Sequence, residues 1–188
     1  RGKSPRRFTG LIFRITAALF STTMTIYCMP TPTKIGVVVI LERPGYWLML
    51  KRSYPPNQGL YTPVGGKIEN GESPRAAAIR EVQEEAGLQI EDPRYCGLLV
   101  DSSPTDYNWI CFVYRASVDY FAPPDCNEGT LTWVPIESLA TLPTPVTDPY
   151  LYPRVLSGQP FFLSALYSSE NDLIELTEEI SGTRLFPE

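Results

Sequence analysis

The sequence predicts an α+β fold built on a mixed β-sheet, and three observations support this class. Short β-branched and apolar segments, separated by Pro and Gly, predict more strands than helices. The strongest helix pattern lies between Ser73 and Gly87, and two apolar segments near the C-terminus flank the turn residues SSEN, which predicts a C-terminal β-hairpin. A chain of 188 residues with 43% hydrophobic side chains is long enough for one domain with a sizeable core.

Two strands are predicted before the helix. Residues 34–41 (KIGVVVIL) are apolar and largely β-branched, which predicts a buried strand. The turn signal ERPG separates them from residues 45–52 (GYWLMLKR), a second strand. Pro and Gly in residues 54–66 predict a loop with at most a short strand.

The helix itself has clear boundaries. Ser73 is a favourable N-cap, Pro74 suits the first helical position and Gly87 suits the position after the last turn. Strand predictions dominate again after it, with residues 94–101 and 108–118 around a turn at SSPTD. The remaining predicted elements are a short strand at 131–134, a short helix at 135–139, a helix at 148–156 and hairpin strands at 160–167 and 172–176.

Three glutamates are crowded on one side of this helix. At 100° per residue, Glu81, Glu84 and Glu85 surround Ala77, next to an apolar face that can dock on a sheet. Arg80 lies one turn before Glu84 and can hold its carboxylate. A solvated acidic face would explain the glutamates alone, but the preceding glycine turn and the spacing to Glu72 favour a site for a hard divalent cation.

Composition excludes several kinds of chemistry. The chain has no histidine, which excludes Ser-His-Asp and Cys-His catalysis and argues against a zinc site. Its four cysteines, without C-x-x-C spacing, indicate reduced thiols and a cytoplasmic protein. Beyond residue 23 the chain carries 11 basic and 21 acidic residues, which disfavours nucleic acid as a partner and favours divalent cations.

Residues 1–28 are expected to form a basic and apolar arm, and residues 29–188 the domain. The first 23 residues carry five basic and no acidic side chains around the run LIFRITAALF, which is too short to span a membrane. Two explanations stay open. The arm is a targeting segment, or translation starts at Met24 or Met29.

A motif connects the glycine turn to the helix. Residues 66–88 follow G-x5-E-x7-R-E-U-x-E-E-x-G-U, in which U is aliphatic. This pattern resembles the Nudix box, and all nine defined positions match, namely Gly66, Glu72, Arg80, Glu81, Val82, Glu84, Glu85, Gly87 and Leu88.

The resemblance implies an α/β/α sandwich around a mixed β-sheet and a pyrophosphohydrolase that uses Mg²⁺, with Mn²⁺ as a possible substitute. It extends over residues 33–176, since LMLKR, TPVGGKIENGE and CNEGTLTWVPIESL, together with the predicted C-terminal hairpin, resemble the MutT-like branch. Members of that branch hydrolyse oxidised purine triphosphates such as 8-oxo-dGTP. A nucleotide substrate and a monomer or homodimer are therefore expected.

The resemblance also implies roles for individual residues. Glu84 and Glu85 resemble the main metal ligands, with the Gly66 carbonyl beside them. Glu81 resembles a carboxylate that binds metal and assists deprotonation of the nucleophile, while Arg80 and Glu72 orient the group. Phosphate-contacting positions match Arg52 and Lys67, and the loop acid Glu128 is the candidate for an additional metal ligand or else a solvated side chain.

Aromatic residues around the predicted strand at 108–118 are candidates for base recognition. Trp109, Phe112 and Tyr107 lie on or beside this strand, where stacking on a base stabilises by about 1–3 kcal/mol. Ordinary core packing would also explain them.

Two other functions are compatible with the motif. Pro104 and Tyr107 lie near positions where Nudix enzymes that cleave ADP-ribose or diadenosine polyphosphates carry Pro and Tyr, and a nucleotide sugar belongs to the same alternative. A non-catalytic nucleotide-binding regulatory module is the alternative of another class, although such modules commonly lose the glutamates that this chain retains.

Overall fold

The computed structural model describes residues 32–187, which form a nine-stranded mixed sheet with helices on both of its faces. Thr31–Glu188 is one compact unit. The predicted arm at 1–28 and Cys28 lie outside the described residues, so that boundary stays a prediction. No helix among residues 32–187 is long and apolar enough to cross a bilayer.

The elements follow the predicted order closely. In the chain they are β1 (Lys34–Arg43), β2 (Tyr46–Arg52), β3 (Tyr61–Thr62), α1 (Pro74–Ala86), β4 (Arg94–Ser102), β5 (Trp109–Ser117), β6 (Gly129–Pro135), a 3₁₀ helix (Ile136–Thr141), α2 (Asp148–Ser157), β7 (Phe161–Tyr167), β8 (Leu173–Glu178) and β9 (Thr183–Phe186).

The sheet is mixed, as predicted. Its order is β3-β2-β1-β5-β4-β7-β8-β9, and β6 pairs with β2 beside this path. The pairs β1–β5 and β4–β7 are parallel, and the other pairs are antiparallel. The parallel pair β1–β5 lies at the centre of the sheet, where both faces are covered, as parallel strands require.

Each face of the sheet has its own apolar core. Helix α1 packs one face through Ala77, Ala78 and Val82 against strands β1 and β2. On the other face α2 contributes Leu151 and Val155, with the 3₁₀ helix beside it. Because side chains alternate along a strand, β1 supplies both cores from successive residues. The α/β/α sandwich implied by the sequence is therefore confirmed.

The boundaries of α1 are those that the sequence predicts. The hydroxyl of Ser73 accepts a hydrogen bond from the backbone N–H of Ala76 at 3.2 Å, and Pro74 occupies the first turn. Gly87 has a φ of 66°, in the left-handed region, and its N–H donates to the Gln83 carbonyl at 3.1 Å. Glycine adopts this conformation at little cost, which ends the helix there.

The predicted C-terminal hairpin is present, and it is joined to the main sheet. Strands β7 and β8 do pair antiparallel, but β7 also pairs in parallel with β4, so both strands extend the main sheet. A third strand, β9, was not predicted, because the four residues TRLF are too few to show an alternating pattern. Phe161, Leu163 and Leu176 from this extension are buried in the core beneath α2.

Candidate active site

A cleft of about 550 Å³ runs between the loop before α1, the ends of β2 and β5, and the start of α2. Its size is typical of small-molecule sites. Glu81 and Glu84 lie at one end, and Asp101 and Asp148 lie at the other. All the substrate contacts and most of the metal ligands predicted from the sequence line this single cleft; the exception is Glu85.

Arg80 connects the glutamates at the acidic end. Its Nε and Nη2 donate to the two carboxylate oxygens of Glu72, each at 3.0 Å, in a bidentate pair. Its Nη1 donates to Glu81 Oε1 at 2.9 Å and to Glu84 Oε2 at 3.0 Å. These hydrogen bonds lower the pKa of Glu72 and raise that of Arg80, so the guanidinium is a fixed cation among three carboxylates.

Glu85 lies deeper than the other glutamates. It is 5% exposed, and its Oε2 accepts a hydrogen bond from the Gly65 N–H at 3.0 Å. Its Oε1 is buried and accepts no hydrogen bond. Burial raises the pKa of Glu85 to about 8, and the nearby charges of Glu128 and Glu81 raise it further against the effect of the Gly65 N–H.

The glycine turn brings the backbone close to these carboxylates. A Cβ at Gly66 would lie 2.4 Å from Glu81 Oε1, so only glycine leaves room for this carboxylate. The Gly66 carbonyl accepts the Val37 N–H at 2.9 Å, which fixes it to the central strand, and its second lone pair remains available. Gly65 has a φ of 148° and packs against the Val37 carbonyl.

The donors at this end fit a hard divalent cation. They are carboxylate oxygens and one carbonyl, and the buried Glu85 Oε1 without a partner is the atom that most needs a positive charge. Among residues 32–187 no three acidic, Cys or His side chains converge into a complete ligand set. Arg80 holds Glu81 and Glu84, and Arg52 holds Glu128, so the ligand set of Gly66, Glu81, Glu84, Glu85 and Glu128 stays a prediction.

Basic side chains also line the cleft. Arg52, Lys67 and Lys34 face it, which suits the phosphate groups of a nucleotide. Arg52 forms an ion pair with Glu128, with 3.0 Å between Nη1 and Oε2. Arg52, one of the two predicted phosphate contacts, is thus a neighbour of the predicted loop acid.

The far end of the cleft holds two buried acids that sequence reasoning missed. Asp148, in the first turn of α2, accepts a hydrogen bond from the Tyr152 hydroxyl at 2.6 Å. Asp101, on β4, accepts one from the Tyr167 hydroxyl at 3.2 Å. Burial raises the pKa of Asp148 to about 7 and that of Asp101 to about 6. At neutral pH these carboxyls can therefore accept or donate hydrogen bonds to a ligand.

The aromatic candidates divide between the two faces of the sheet. Trp109 and Tyr107 line the cleft. Phe112 packs in the core beneath α1, which is the alternative of ordinary core packing that the sequence left open. Alternation along β5 explains the difference, because Trp109 and Cys111 face the cleft while Phe112 points to the opposite side.

Comparison with known proteins identifies the family. A model of the NUDIX domain matches residues 31–155, well over half of the chain. The chain belongs to the Nudix family. The prediction of a pyrophosphohydrolase is confirmed by this membership and by the named hydrolases described next. Nudix hydrolases generally use divalent metal ions, and the names of two relatives give nucleotide-type substrates.

Three relatives and one solved structure illustrate the similarity. The uncharacterised Nudix hydrolase YvcI of Bacillus subtilis is 30% identical over 109 residues, which cover 55% of this chain and 69% of that protein. The NAD-capped RNA hydrolase NudC of Haemophilus influenzae is 41% identical over 63 residues, or 32% of this chain and 24% of its own length. The CTP pyrophosphohydrolase of Escherichia coli is 43% identical over 60 residues, or 31% and 44% respectively.

The solved structure is the MutT protein from Bacillus halodurans. It has 22% sequence identity, a TM-score of 0.70, and covers 78% of this chain and 98% of its own. This similarity confirms the Nudix fold of the described residues. The relatives differ in the substrates that their names give, so the family supports a nucleotide-type substrate without selecting one.

Proposed function

We propose that the protein hydrolyses a nucleoside triphosphate to a nucleoside monophosphate and pyrophosphate with Mg²⁺, and that oxidised purine nucleotides such as 8-oxo-dGTP are its substrates. The observation that carries this proposal is the arrangement of the cleft. The α1 glutamates, basic side chains and a pair of buried acids line the same cleft. A nucleotide needs all three, because its phosphates bind a metal ion and basic side chains, and its base offers hydrogen-bond donors to acidic groups.

The acidic end would hold the metal and the reacting phosphate. Glu84, Glu85 and the Gly66 carbonyl are the proposed ligands. A Mg²⁺ ion held by these ligands would neutralise phosphate charge and lower the pKa of a bound water molecule. Glu81 lies in the cleft and is held by Arg80, so it is placed to accept a proton from the attacking water. Arg52 and Lys67 would bind the remaining phosphate oxygens.

The far end would select the base. A carboxylate accepts hydrogen bonds from adjacent N–H groups, which a purine such as guanine presents at N1 and N2. Asp148 and Asp101 offer such acceptors, and Trp109 offers a surface on which a base can stack. Because both acids have raised pKa values, a protonated carboxyl can also donate to an exocyclic oxygen.

A substrate panel tests the proposal. With Mg²⁺, kcat/KM is compared for 8-oxo-dGTP, dGTP, CTP, NAD, ADP-ribose, a UDP-sugar and a diadenosine polyphosphate. We expect 8-oxo-dGTP to be preferred and pyrophosphate to be released from it. Hydrolysis in ¹⁸O-labelled water then identifies the attacked phosphorus, because the label enters either the monophosphate or the pyrophosphate. Preference for CTP, NAD or ADP-ribose would show that the proposed substrate is wrong. Absence of turnover of every compound in the panel would indicate a non-catalytic nucleotide-binding module.

A matched pair of variants tests the role of the buried acids. Asp148→Asn removes an acceptor at the far end, and we expect kcat/KM for the best purine triphosphate to fall roughly 10- to 100-fold, as expected for the loss of 1–3 kcal/mol of base discrimination. Asp172→Asn, at an exposed loop position, should leave it unchanged. An Asp148→Asn enzyme with an unchanged order of substrates would show that this acid does not contact the base.

A further inference from the structure

Arg52 and Glu128 form an ion pair, and the backbone of both residues is held in place. The two residues lie at the ends of paired strands, since Arg52 is opposite Gly129 in the β2–β6 pair. The Glu128 carbonyl accepts the Ser53 N–H at 2.8 Å. A Cβ at Gly129 would lie 2.0 Å from the Lys51 carbonyl, so these backbones are in close contact. Because the backbone is held in place, Arg52 and Glu128 change partners by rotation of their side chains.

Glu128 has a second possible partner in the same cleft. It lines the cleft together with Glu81 and Glu84. Burial is the main cause of the raised pKa values of Glu81 and Glu85, and the nearby charge of Glu128 adds to both. Its side chain is 49% exposed and is free to turn. A cation on the α1 glutamates would attract this carboxylate and compete with Arg52 for it.

Arg52 also has a second possible partner. Its side chain is 18% exposed, and its Nε donates to the Pro56 carbonyl at 3.0 Å, which holds the guanidinium at the edge of the cleft. A phosphate group is a better partner for a guanidinium than a single carboxylate oxygen, because it carries more charge and accepts two parallel hydrogen bonds. A partly exposed ion pair is a weak restraint, so phosphate can displace Glu128.

We propose that the Arg52–Glu128 pair makes metal coordination by Glu128 conditional on a phosphate group at Arg52. Without nucleotide, Arg52 holds Glu128 away from the acidic helix. When a phosphate binds Arg52, the Glu128 carboxylate turns to the cation held by the α1 glutamates. This inference rests on the proposed function, because it needs a phosphate chain in the cleft. Since coupling between two ligands is reciprocal, the metal also increases nucleotide affinity through the same pair.

Metal binding without nucleotide tests the proposal directly. Affinity for Mn²⁺ alone is measured by electron paramagnetic resonance for the wild type, Arg52→Gln, Glu128→Gln and the double variant. Arg52→Gln frees Glu128, so we expect Mn²⁺ to bind roughly fivefold more tightly than in the wild type. In the Glu128→Gln background, the same Arg52 substitution should change affinity by less than about twofold, because no carboxylate is released.

Two controls separate this coupling from simpler effects. An equal gain in both backgrounds would show that Arg52 acts only as a nearby positive charge, and that result overturns the proposal, as does no gain in either. Lys67→Gln removes another cation from the cleft and measures the size of that general effect. Circular dichroism confirms folding of each variant, and Arg52→Met, which also removes the positive charge, replaces Arg52→Gln if the latter does not fold.

A nucleotide analogue completes the test. A non-hydrolysable α,β-methylene triphosphate should increase Mn²⁺ affinity more in the wild type than in Arg52→Gln or Glu128→Gln, and equal increases in all three would contradict the coupling. The proposed function is tested separately, by assays of nucleotide hydrolysis. A protein that shows the predicted metal-binding cycle but cleaves no nucleotide would refute the function alone, whereas hydrolysis with independent effects of the two substitutions would refute the coupling alone.

Discussion

Arg80 explains how the crowded glutamates of α1 are tolerated. One guanidinium contacts Glu72, Glu81 and Glu84 and also donates to the Lys67 carbonyl at 2.9 Å. Without such a cation, the carboxylates would repel one another and resist burial. Glu85 receives no hydrogen bond from Arg80 and has the pKa that burial raises to about 8. The Glu85 carboxylate thus lacks a positively charged partner, and a metal ion would be such a partner.

Gly66→Ala should inactivate the enzyme without unfolding it. The added methyl group would lie 2.4–2.6 Å from the Glu81 carboxylate, so that carboxylate must move away from the turn. We expect kcat to fall roughly 10²-fold, in line with the loss of a positioned catalytic group. Steady-state kinetics and thermal unfolding measure the two effects, and a variant with normal kcat would show that Glu81 need not lie against Gly66.

Glu85→Gln should separate catalysis from stability. Glutamine keeps an oxygen that can accept the Gly65 N–H and removes a buried charge, so the metal-free variant should be at least as stable as the wild type at pH 8. Its kcat should fall roughly 10²-fold or more, because a metal ligand loses its charge. Turnover near the wild-type value would contradict the assignment of Glu85 as a ligand.

At the scale of residues, sequence reasoning identified the motif and missed the far end of the cleft. The motif fixes the identity and spacing of its residues along one turn and one helix, and such local order is visible in a sequence. Asp101 and Asp148 are 47 positions apart and meet only because β4 and α2 pack together. An acidic residue within the apolar strand LLVDS was the one available indication, since burying a carboxylate is costly.

At the scale of elements, the C-terminal strands are part of the core. Leu176 on β8 is fully buried, whereas Ile174 on the same strand is 47% exposed. We expect Leu176→Ala to lower the free energy of unfolding by about 2–5 kcal/mol, as removal of a buried leucine does. Ile174→Ala is the matched control and should cost far less. Urea denaturation measures both, and equal losses would mean that β8 does not close the core.

Most elements were predictable because their signals are local. Ser73, Pro74 and Gly87 mark the ends of α1 through capping interactions that involve only neighbouring residues. The predicted short helix at 135–139 is a 3₁₀ helix at Ile136–Thr141, a form that its few residues do not distinguish from an α-helix. Pairing of β7 with β4 was not predictable, because partners in a sheet are chosen by packing over long distances in the sequence.

At the scale of the whole molecule, buried acids make stability depend on pH. Burial raises the pKa values of Glu85, Asp148 and Asp101 to about 8, 7 and 6. Between about pH 4 and pH 8 the folded protein therefore binds more protons than the unfolded chain. The free energy of unfolding should fall as the pH rises through this window in EDTA, which urea denaturation at several pH values would show.

Variants of single acids identify the source of this pH dependence. Asp148→Asn removes one group with a raised pKa, so the decrease in unfolding free energy between pH 5 and pH 8 should be smaller. Asp172→Asn, an exposed substitution, should leave the decrease as it is in the wild type. Added Mg²⁺ should offset part of the decrease near pH 8 by binding ionised Glu85. A flat profile for the wild type would be inconsistent with three buried, protonatable acids.

The fold class was predictable from the sequence, whereas the substrate was not. Alternating strands around one well-capped helix and an intact motif define the family. The substrate depends on cleft walls supplied by strands β1 to β5, by both α-helices and by the loops between them. The preferred nucleotide, the absence of nucleic-acid partners, the cytoplasmic location and the oligomeric state stay predictions.

The position of β7 and β8 late in the chain has a consequence for biosynthesis. During translation α1 emerges from the ribosome early. The core beneath α2 is incomplete until Phe161, Leu163 and Leu176 have also emerged from the exit tunnel. Nascent chains would expose apolar surface until then, and chains truncated after α2 should aggregate although they retain the complete motif.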